Sequence, residues 1–378
     1  MCLKSTLSSV YLMAIIVFVL GSCSNSQENE MAQTITIPVN VEAVEPLDFS
    51  GQVNNIRHVF LETTSDNVIG HIAKIQIKDN LLFIKESQRL KGIMVFNQDD
   101  GKFLYQRALE GKGPEEVVQL ADFQIVGNEI HVLDGFGKKM KVYSLQLEYL
   151  RERALDESYA LFEPVGHNFF FDRAGSNGIP GTFFQLRVMN KDYQVVEEYH
   201  PKTGMSTSSR FSESTSFYKD ELLYWEMLKD TVWTYSYGKS QFWPKYVIDF
   251  GDKSIPAEWW AEGINGVSQR LMEDITDPKY AGNMRNVVET DDHIYFSFSF
   301  KKNYFVRYDK NTKRSLVFHQ LKVPGLNALV SNFEYQMDPA TWVSVVQPAS
   351  LHWVSEEAKS AAGIDEMDNP VLVFVELR

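Results

Sequence analysis

The chain has 378 residues, 44% hydrophobic and 23% charged, with 37 basic against 50 acidic side chains and a net charge of -13. Acidity without any basic cluster excludes nucleic acid as a partner and adhesion to an anionic surface as a role. With only 2 cysteines a disulfide-stapled scaffold is excluded too, so stability must come from a packed core.

The first element is Lys4 followed by the unbroken apolar run Val10–Leu20 (VYLMAIIVFVL). A spanning helix needs about 20 apolar residues, so this run reads as the core of an export signal, residues 1–22. It ends in Leu20-Gly21-Ser22-Cys23, which resembles the lipobox of bacterial lipoproteins. That resemblance implies cleavage before Cys23, lipid attachment at Cys23 and a lipid anchor in a membrane. Cys2 would leave with the signal. The polar stretch that follows (SNSQENEMAQ) has no periodicity and reads as a flexible tether, residues 23–40, ahead of a folded domain, residues 41–378.

Short β-branched and aromatic runs then recur, separated by Gly, Asn and Asp. Ala73–Ile77, Leu81–Lys85, Gly92–Phe96 and Phe103–Arg107 make one round of four strands, with an Asp100-Gly101 hairpin signal between the last two. A second round runs Asp122–Val126, Glu129–Asp134, Lys139–Ser144 and Glu148–Arg153. Further rounds start at Asn168, near Ser216, at Arg285 and at Ser331. A spacing of about 45–50 residues is that of propeller blades. The one long interval holds Pro256–Tyr280, whose apolar residues recur at helical spacing, and reads as a helical insertion between blades four and five. A smaller insertion, Ser355–Glu366, sits in the last unit. That unit has only three strands of its own, Asn332–Gln336, Thr341–Val346 and Pro370–Glu376, and Ile56–Glu62 supplies the fourth. A blade built from both termini closes the ring and removes free sheet edges. The expected fold is all-β, a six-bladed β-propeller closed by an N-terminal strand.

The stretch LEGKGPEEV, Leu109–Val117, raises the question of a phosphate loop. Such a loop needs Gly, four residues, then Gly-Lys-Ser/Thr, but Gln106 and Gly113 occupy the required glycine and hydroxyl positions around Lys112. The stretch reads as a structural turn from an outer strand to the next inner strand, with Gly111 and Gly113 allowing positive φ and Pro114 stiffening the path. No Gly-x-Ser-x-Gly elbow occurs, and the 8 histidines include no His-x-x-x-His pair. His71, His131 and His293 read as hydrogen-bonded structural residues, and neither a metal nor another cofactor is called for. Trp259 and Trp260 in the insertion are candidate ligand-binding platforms, since exposed tryptophan faces stack on sugars and on peptide aromatics. The competing reading packs them, like Trp225, Trp233 and Trp243 of blade four, inside the fold.

Leu61-Glu62-Thr63-Thr64, Ile69-Gly70-His71-Ile72 with Lys74-Ile75, Val95-Phe96 with Gly101-Lys102-Phe103-Leu104, and the GKGPEE loop leading to Asp122-Phe123 carry a family likeness. Ile130–Asp134 and Asp368-Asn369-Pro370-Val371-Leu372-Val373 belong to it as well. The chain resembles the six-bladed β-propeller lipoproteins of Bacteroides-type bacteria, distantly similar to NHL-repeat propellers, although Glu115 stands where the family usually has glycine. The resemblance implies an outer-membrane lipoprotein of the cell envelope. The leading expectation is a non-catalytic binding protein whose propeller face takes an oligosaccharide or peptide in nutrient capture. Two alternatives stay open: a lyase or hydrolase acting on a glycan or peptide derivative at the channel mouth, and a scaffold docking another envelope protein. Ionisable groups converging at that mouth would favour the enzyme, and an aromatic face the binder.

Overall fold

The computed structural model divides the chain into two units, residues 1–33 and Thr34–Arg378. It describes residues 34–44, 53–173, 182–203, 214–226, 228–262, 267, 270, 279–318, 321–322, 329–330, 335–338, 340–348, 365 and 367–377. The expected signal peptide, Cys23, the tether up to residue 33 and, apart from Asp365, the smaller insertion lie outside those residues.

Period-2 apolar runs bounded by turn residues fold into six blades of antiparallel strands, beside a two-stranded sheet of Leu321–Lys322 and Leu329–Val330. Blade 1 comprises Ile72–Lys78, Leu81–Glu86, Gly92–Asn97 and Phe103–Ala108, and blade 2 Leu120–Val126, Glu129–Asp134, Lys139–Ser144 and Tyr149–Ala154. Blade 3 comprises Leu161–Val165, Asn168–Asp172, Thr182–Met189 and Val195–Thr203. Blade 4 is Thr215–Tyr218, Glu221–Trp225, Thr231–Ser236 and Gln241–Asp249, and blade 5 is Gly282–Glu289, His293–Phe300, Lys302–Asp309 and Arg314–Phe318. Blade 6 is the composite one: Tyr335–Gln336, Thr341–Val346 and Val371–Leu377 are completed by Val53–Phe60, with Ile56 opposite Val375 and Phe60 opposite Val371. The ring therefore closes with the N-terminal strand, as its sequence pattern predicts. A helical turn, Ala257–Glu262, lies between blades 4 and 5, or between the fifth and sixth blades if counting starts from the N-terminal strand.

Two expectations about where strands begin need correction. Blade 3 starts at Leu161–Val165, not at Asn168, which belongs to its second strand. Pro164 hides the first strand in the sequence, yet an innermost strand has one unpaired edge and tolerates a residue without an N–H. The folded body also begins before residue 41. Ile35–Pro38 pairs in parallel with Gln241–Asp249 as a fifth, outermost strand of blade 4, Ile35 opposite Tyr246 and Pro38 opposite Asp249. Its anchors Ile37, Val39 and Val41 are buried, an alternating pattern that the polar run before it obscures. Val44 then bridges to Val317 of blade 5. The N-terminal segment thus ties the outer edges of blades 4, 5 and 6 in succession.

The core lies between consecutive blades. Phe83, Ile93 and Val95 of blade 1 pack against Phe123, Ile130, Val132 and Tyr143 of blade 2 in one buried cluster, and each large apolar side chain so buried contributes about 1.5–3 kcal/mol. Strands of each blade alternate in direction, so its 1→2 and 3→4 connections share one end and its 2→3 and 4→1 connections the other. The first set are turns of two to five residues, such as the left-handed pair Asp79 (φ 49) and Asn80 (φ 64). The second set includes every long connection, among them the spans from Ala108 to Leu120, Asp249 to Gly282 and Val346 to Val371. One end is a turn face and the other a loop face.

LEGKGPEEV occupies the loop face and does connect the outermost strand of blade 1 to the innermost strand of blade 2. It folds back on itself, with Gly111 N donating to Val117 O at 3.0 Å and Val117 N to Leu109 O at 2.8 Å. Neither Gly111 nor Gly113 has positive φ, contrary to expectation. Glycine is needed at 111 because a Cβ there would collide with the Glu116 carboxylate, which accepts the Gly113 N–H at 2.7 Å. Replacing Gly111→Ala should displace Glu116 and cost about 1 kcal/mol, the worth of that hydrogen bond. Adding Glu116→Ala should then make the glycine substitution nearly neutral in a denaturant titration; two additive losses would refute this account.

Candidate functional site

The first strands of the blades line the axis, and their polar residues meet there. Lys74 of blade 1 sends its Nζ to Asp122 Oδ1 of blade 2 at 3.0 Å and to Glu163 Oε1 of blade 3 at 3.5 Å. Thr215 of blade 4 donates to Glu163 Oε1 at 3.0 Å. All four side chains are buried, and the three ionisable residues are at most 8% exposed. First strands run from the loop face toward the turn face, so this charged layer sits just inside the loop-face mouth.

Deeper in, amides replace charges. Gln76 and Gln124 are hydrogen-bonded, and Gln124 Nε2 also donates to Glu163 Oε2 at 2.7 Å and to Phe162 O at 2.8 Å. Gln336 of blade 6 reaches past blade 5 to Phe217 of blade 4, accepting its N–H at 3.1 Å and donating to its carbonyl at 3.2 Å. At that level a side-chain amide bridges two blades that are not neighbours in the ring.

The chemistry of the charged layer is set by its pairing. Burial raises the Glu163 carboxyl above the usual range, opposed by the Lys74 ammonium and reinforced by the Asp122 charge. Asp122 Oδ2 accepts the Phe162 N–H at 3.1 Å and Oδ1 that of Phe123 at 2.8 Å. Each ionisable group is thus engaged by neighbours within the fold, an arrangement that pins four first strands to one another.

Buried carboxylates also hold the loop-face connections. Glu86, at the end of the second strand of blade 1, accepts six backbone N–H groups, from Gly70, His71 and Gln88 through Oε1 and from Arg89, Leu90 and Lys91 through Oε2. Burial acts to raise its pKa, but these donors outweigh it and hold the carboxyl below its ordinary value. Asp134, at the same place in blade 2, accepts from Val118 at 3.1 Å, Gln119 at 3.2 Å and Gly137 at 2.8 Å.

Trp259 is half-buried, its ring edge-on to Tyr280 at 4.9 Å with the Arg270 guanidinium 5.5 Å from its centroid. Those contacts belong to the insertion itself. The Trp260 side chain lies outside the described residues. Trp225 is buried, and Trp233 stacks on Phe242 at 5.3 Å. His71 contacts Ser87 Oγ at 2.9 Å, and His131 contacts the Tyr193 hydroxyl at 2.6 Å. Among the described residues, no three His, Cys, Asp or Glu side chains gather to hold a metal ion, and no helix is long and apolar enough to cross a membrane.

Inspection of single motifs misses Lys74, Asp122 and Glu163. A signal was present: Lys74-Ile75-Gln76 and Asp122-Phe123-Gln124 place polar residues at the same alternate positions of two successive first strands.

Among solved structures, the chain is similar to a Bacteroides fragilis NCTC 9343 protein described as exported, with 19% identity and a TM-score of 0.72 over 92% of this chain and 100% of the other. A member of the DUF4221 family from Bacteroides vulgatus matches with 10% identity and a TM-score of 0.52 over 86% of this chain and 97% of its own. Virginiamycin B lyase from Staphylococcus aureus reaches 12% identity and a TM-score of 0.42, covering 86% and 99%, a likeness too distant to carry any argument about chemistry. No curated protein matches the chain. The sequence profile of the domain of unknown function DUF4934 matches residues 32–376. The chain belongs to the DUF4934 family.

Proposed function

We propose that the protein is an exported lipoprotein of the outer membrane, anchored through Cys23, that holds a ligand on its loop face without transforming it. Export is supported by the leader-like run before Cys23 and by the similar Bacteroides fragilis protein, itself described as exported. The binding reading rests on one observation above all. Every long connection leaves and re-enters the blades at one end, the end of a channel mouth whose ionisable groups are already engaged with one another. Loops on a rigid scaffold are where binding residues concentrate, and an oligosaccharide or a peptide is the ligand class that suits nutrient capture.

A second reading, a lyase or hydrolase acting on a glycan or peptide derivative, draws on the same mouth. Ionisable groups do converge there, but Lys74 and Glu163 would have to leave their partners before either could move a substrate proton. That commitment favours the binder.

A thermal-shift screen of the body Thr34–Arg378 against oligosaccharides, short peptides and divalent metals tests both readings. A ligand at about 100 times its dissociation constant adds about 2.7 kcal/mol, a visible shift. A sugar or peptide hit recovered unchanged after incubation is the expected result. Conversion of the hit to product would move the assignment to the enzyme, and silence across the panel would remove both in favour of a scaffold that docks another envelope protein.

A further inference from the structure

The charged layer joins the first strands of blades 1 to 4, and the first strand of blade 5 carries a charge of its own that turns away from that layer. Arg285 is half-buried and forms no ion pair among the described residues. Arg107, Arg173 and Arg187, also buried or half-buried, all rest on carboxylates, those of Glu115, Glu157 and Asp156 with Glu198. Burial lowers the Arg285 pKa, and no carboxylate acts against it. Holding a charge half out of water without a counter-charge is costly, and neutral hydrogen bonds are all that the fold gives it in return.

The strand is bent around this residue. Gly282–Glu289 shifts register on both sides of Arg285, between Gly282 and Arg285 and between Arg285 and Val288. Asn283 (φ 56) and Asn286 (φ 52) supply the left-handed backbone, which asparagine adopts readily. Bulges of this kind re-aim side chains and are over-represented next to active sites. Arg285 lies opposite Ser297 in register, yet its Nη2 donates to Ser299 Oγ at 3.4 Å, nearer the loop face. Its Nε donates to the Asn283 amide oxygen at 3.1 Å. Ser299 in turn donates to Asn303 Oδ1 at 3.0 Å. Arg285 Nη1 and Asn303 Nδ2 make no hydrogen bond among the described residues, and Asn303 and its neighbour Lys302 are exposed. The group therefore opens at the loop-face end of blade 5 and offers donors that no acid has taken.

Resting on the loop-face reading above, we propose that Arg285, Ser299 and Asn303 receive the carboxylate of an acidic sugar, the uronate of an oligosaccharide held on the loop face. One guanidinium matches a planar, singly charged carboxylate better than a phosphate dianion. The hydroxyl and amides fixed around it suit sugar hydroxyls, which placed polar groups orient. An acidic peptide fits less well, because residues 282–286 and 299–303 include no exposed large apolar side chain to seat one of its own.

The probe is trigalacturonate, titrated calorimetrically into the body Thr34–Arg378 beside its methyl ester and beside triglutamate, at low and high salt. The acid should bind about tenfold more tightly than its ester, as one hydrogen bond to a charged group allows. Added salt should weaken it, because exposed charges are screened. Arg285→Gln should abolish the preference for the acid and, with no ion pair to lose, should melt like the parent. Arg285→Lys, which keeps the charge but not the planar fork, should keep only part of the preference. Asn303→Asp leaves the guanidinium in place, and its carboxylate still accepts from Ser299. It should nevertheless weaken trigalacturonate by about tenfold, because it sets a like charge against the uronate. The turn-face variant Lys191→Gln should bind as the parent does. Equal binding of acid and ester, an undiminished preference in Arg285→Gln or Asn303→Asp, tighter binding of triglutamate, or no binding of trigalacturonate would each overturn the inference. If trigalacturonate fails while another member of the thermal-shift panel binds, this inference falls and the loop-face reading stands; if nothing binds, both fall.

Discussion

A chain beginning at Glu62 will not fold. Such a truncation removes the fourth strand of blade 6, Val53–Phe60, and leaves Val371–Leu377 with an open edge. It also removes Val59 and Leu61 from the cluster in which they pack with Leu372, Phe374, Ile72 and Leu82. The loss should exceed about 5–10 kcal/mol, the whole stability of an ordinary domain. Circular dichroism and sedimentation should report an unfolded or aggregated product. The closure has a polar clasp as well. Asn369, 3% exposed, accepts the Ile69 N–H at 2.7 Å and donates to Glu62 O at 2.9 Å and Asn67 O at 3.0 Å. A milder truncation, starting at Ala43, removes only the extra strand of blade 4. It should fold with a lower melting temperature, since three buried apolar anchors account for about 4–8 kcal/mol at most. Cooperative folding of the Glu62 chain would contradict the closure as described.

The second large effect is expected at Lys74. Lys74→Met leaves two buried carboxylates, Asp122 and Glu163, without the ammonium between them, and breaking a buried pair on one side costs about 3–5 kcal/mol. Glu163→Gln should cost less, because the Lys74–Asp122 pair remains and the amide oxygen still accepts from Gln124, while the Thr215 hydroxyl has to turn to accept from the amide nitrogen. The pH dependence has a definite sign. Glu163 in the fold lies above its ordinary value, so its contribution is full below the unfolded pKa and is lost as pH rises through the folded one. Without Lys74 that displacement grows, so the deficit of Lys74→Met should shrink on going from about pH 7 to about pH 5. Glu86 runs the other way: its carboxyl is held low, so its contribution is present above the unfolded pKa and is lost as pH falls through the folded one. Denaturant titrations of parent and variant at both pH values test this, and a deficit independent of pH would refute the assignment of Glu163.

Most of the ring was legible because each blade repeats the same physics, namely apolar alternation, a tight turn and a return strand. Gly92–Asn97 and Glu129–Asp134 are nearly continuous apolar runs because blades bury both faces of their middle strands. The closing strand was legible as a surplus at one end matching a shortage at the other. What escaped has specific causes. Leu161–Val165 carries Glu163 and Pro164, whose roles depend on an axis that sequence does not display. Ile35–Pro38 is too short to register beside a polar run. The glycine of Gly111 is required by a side chain five residues away rather than by its own φ. The charged layer at the mouth joins residues up to 89 positions apart, and no local pattern encodes which of them meet.

The central claim is that the loop face binds a ligand without transforming it. Hydrogen exchange followed by mass spectrometry, on the body with and without a ligand from the thermal-shift panel, tests it most directly. Protection confined to loop-face segments such as 87–91, 109–119 and 135–138, with the turns 98–102, 145–148 and 190–194 unchanged and the ligand mass unaltered, is the predicted result. Protection centred on the turns, or a ligand recovered at a new mass, would contradict it.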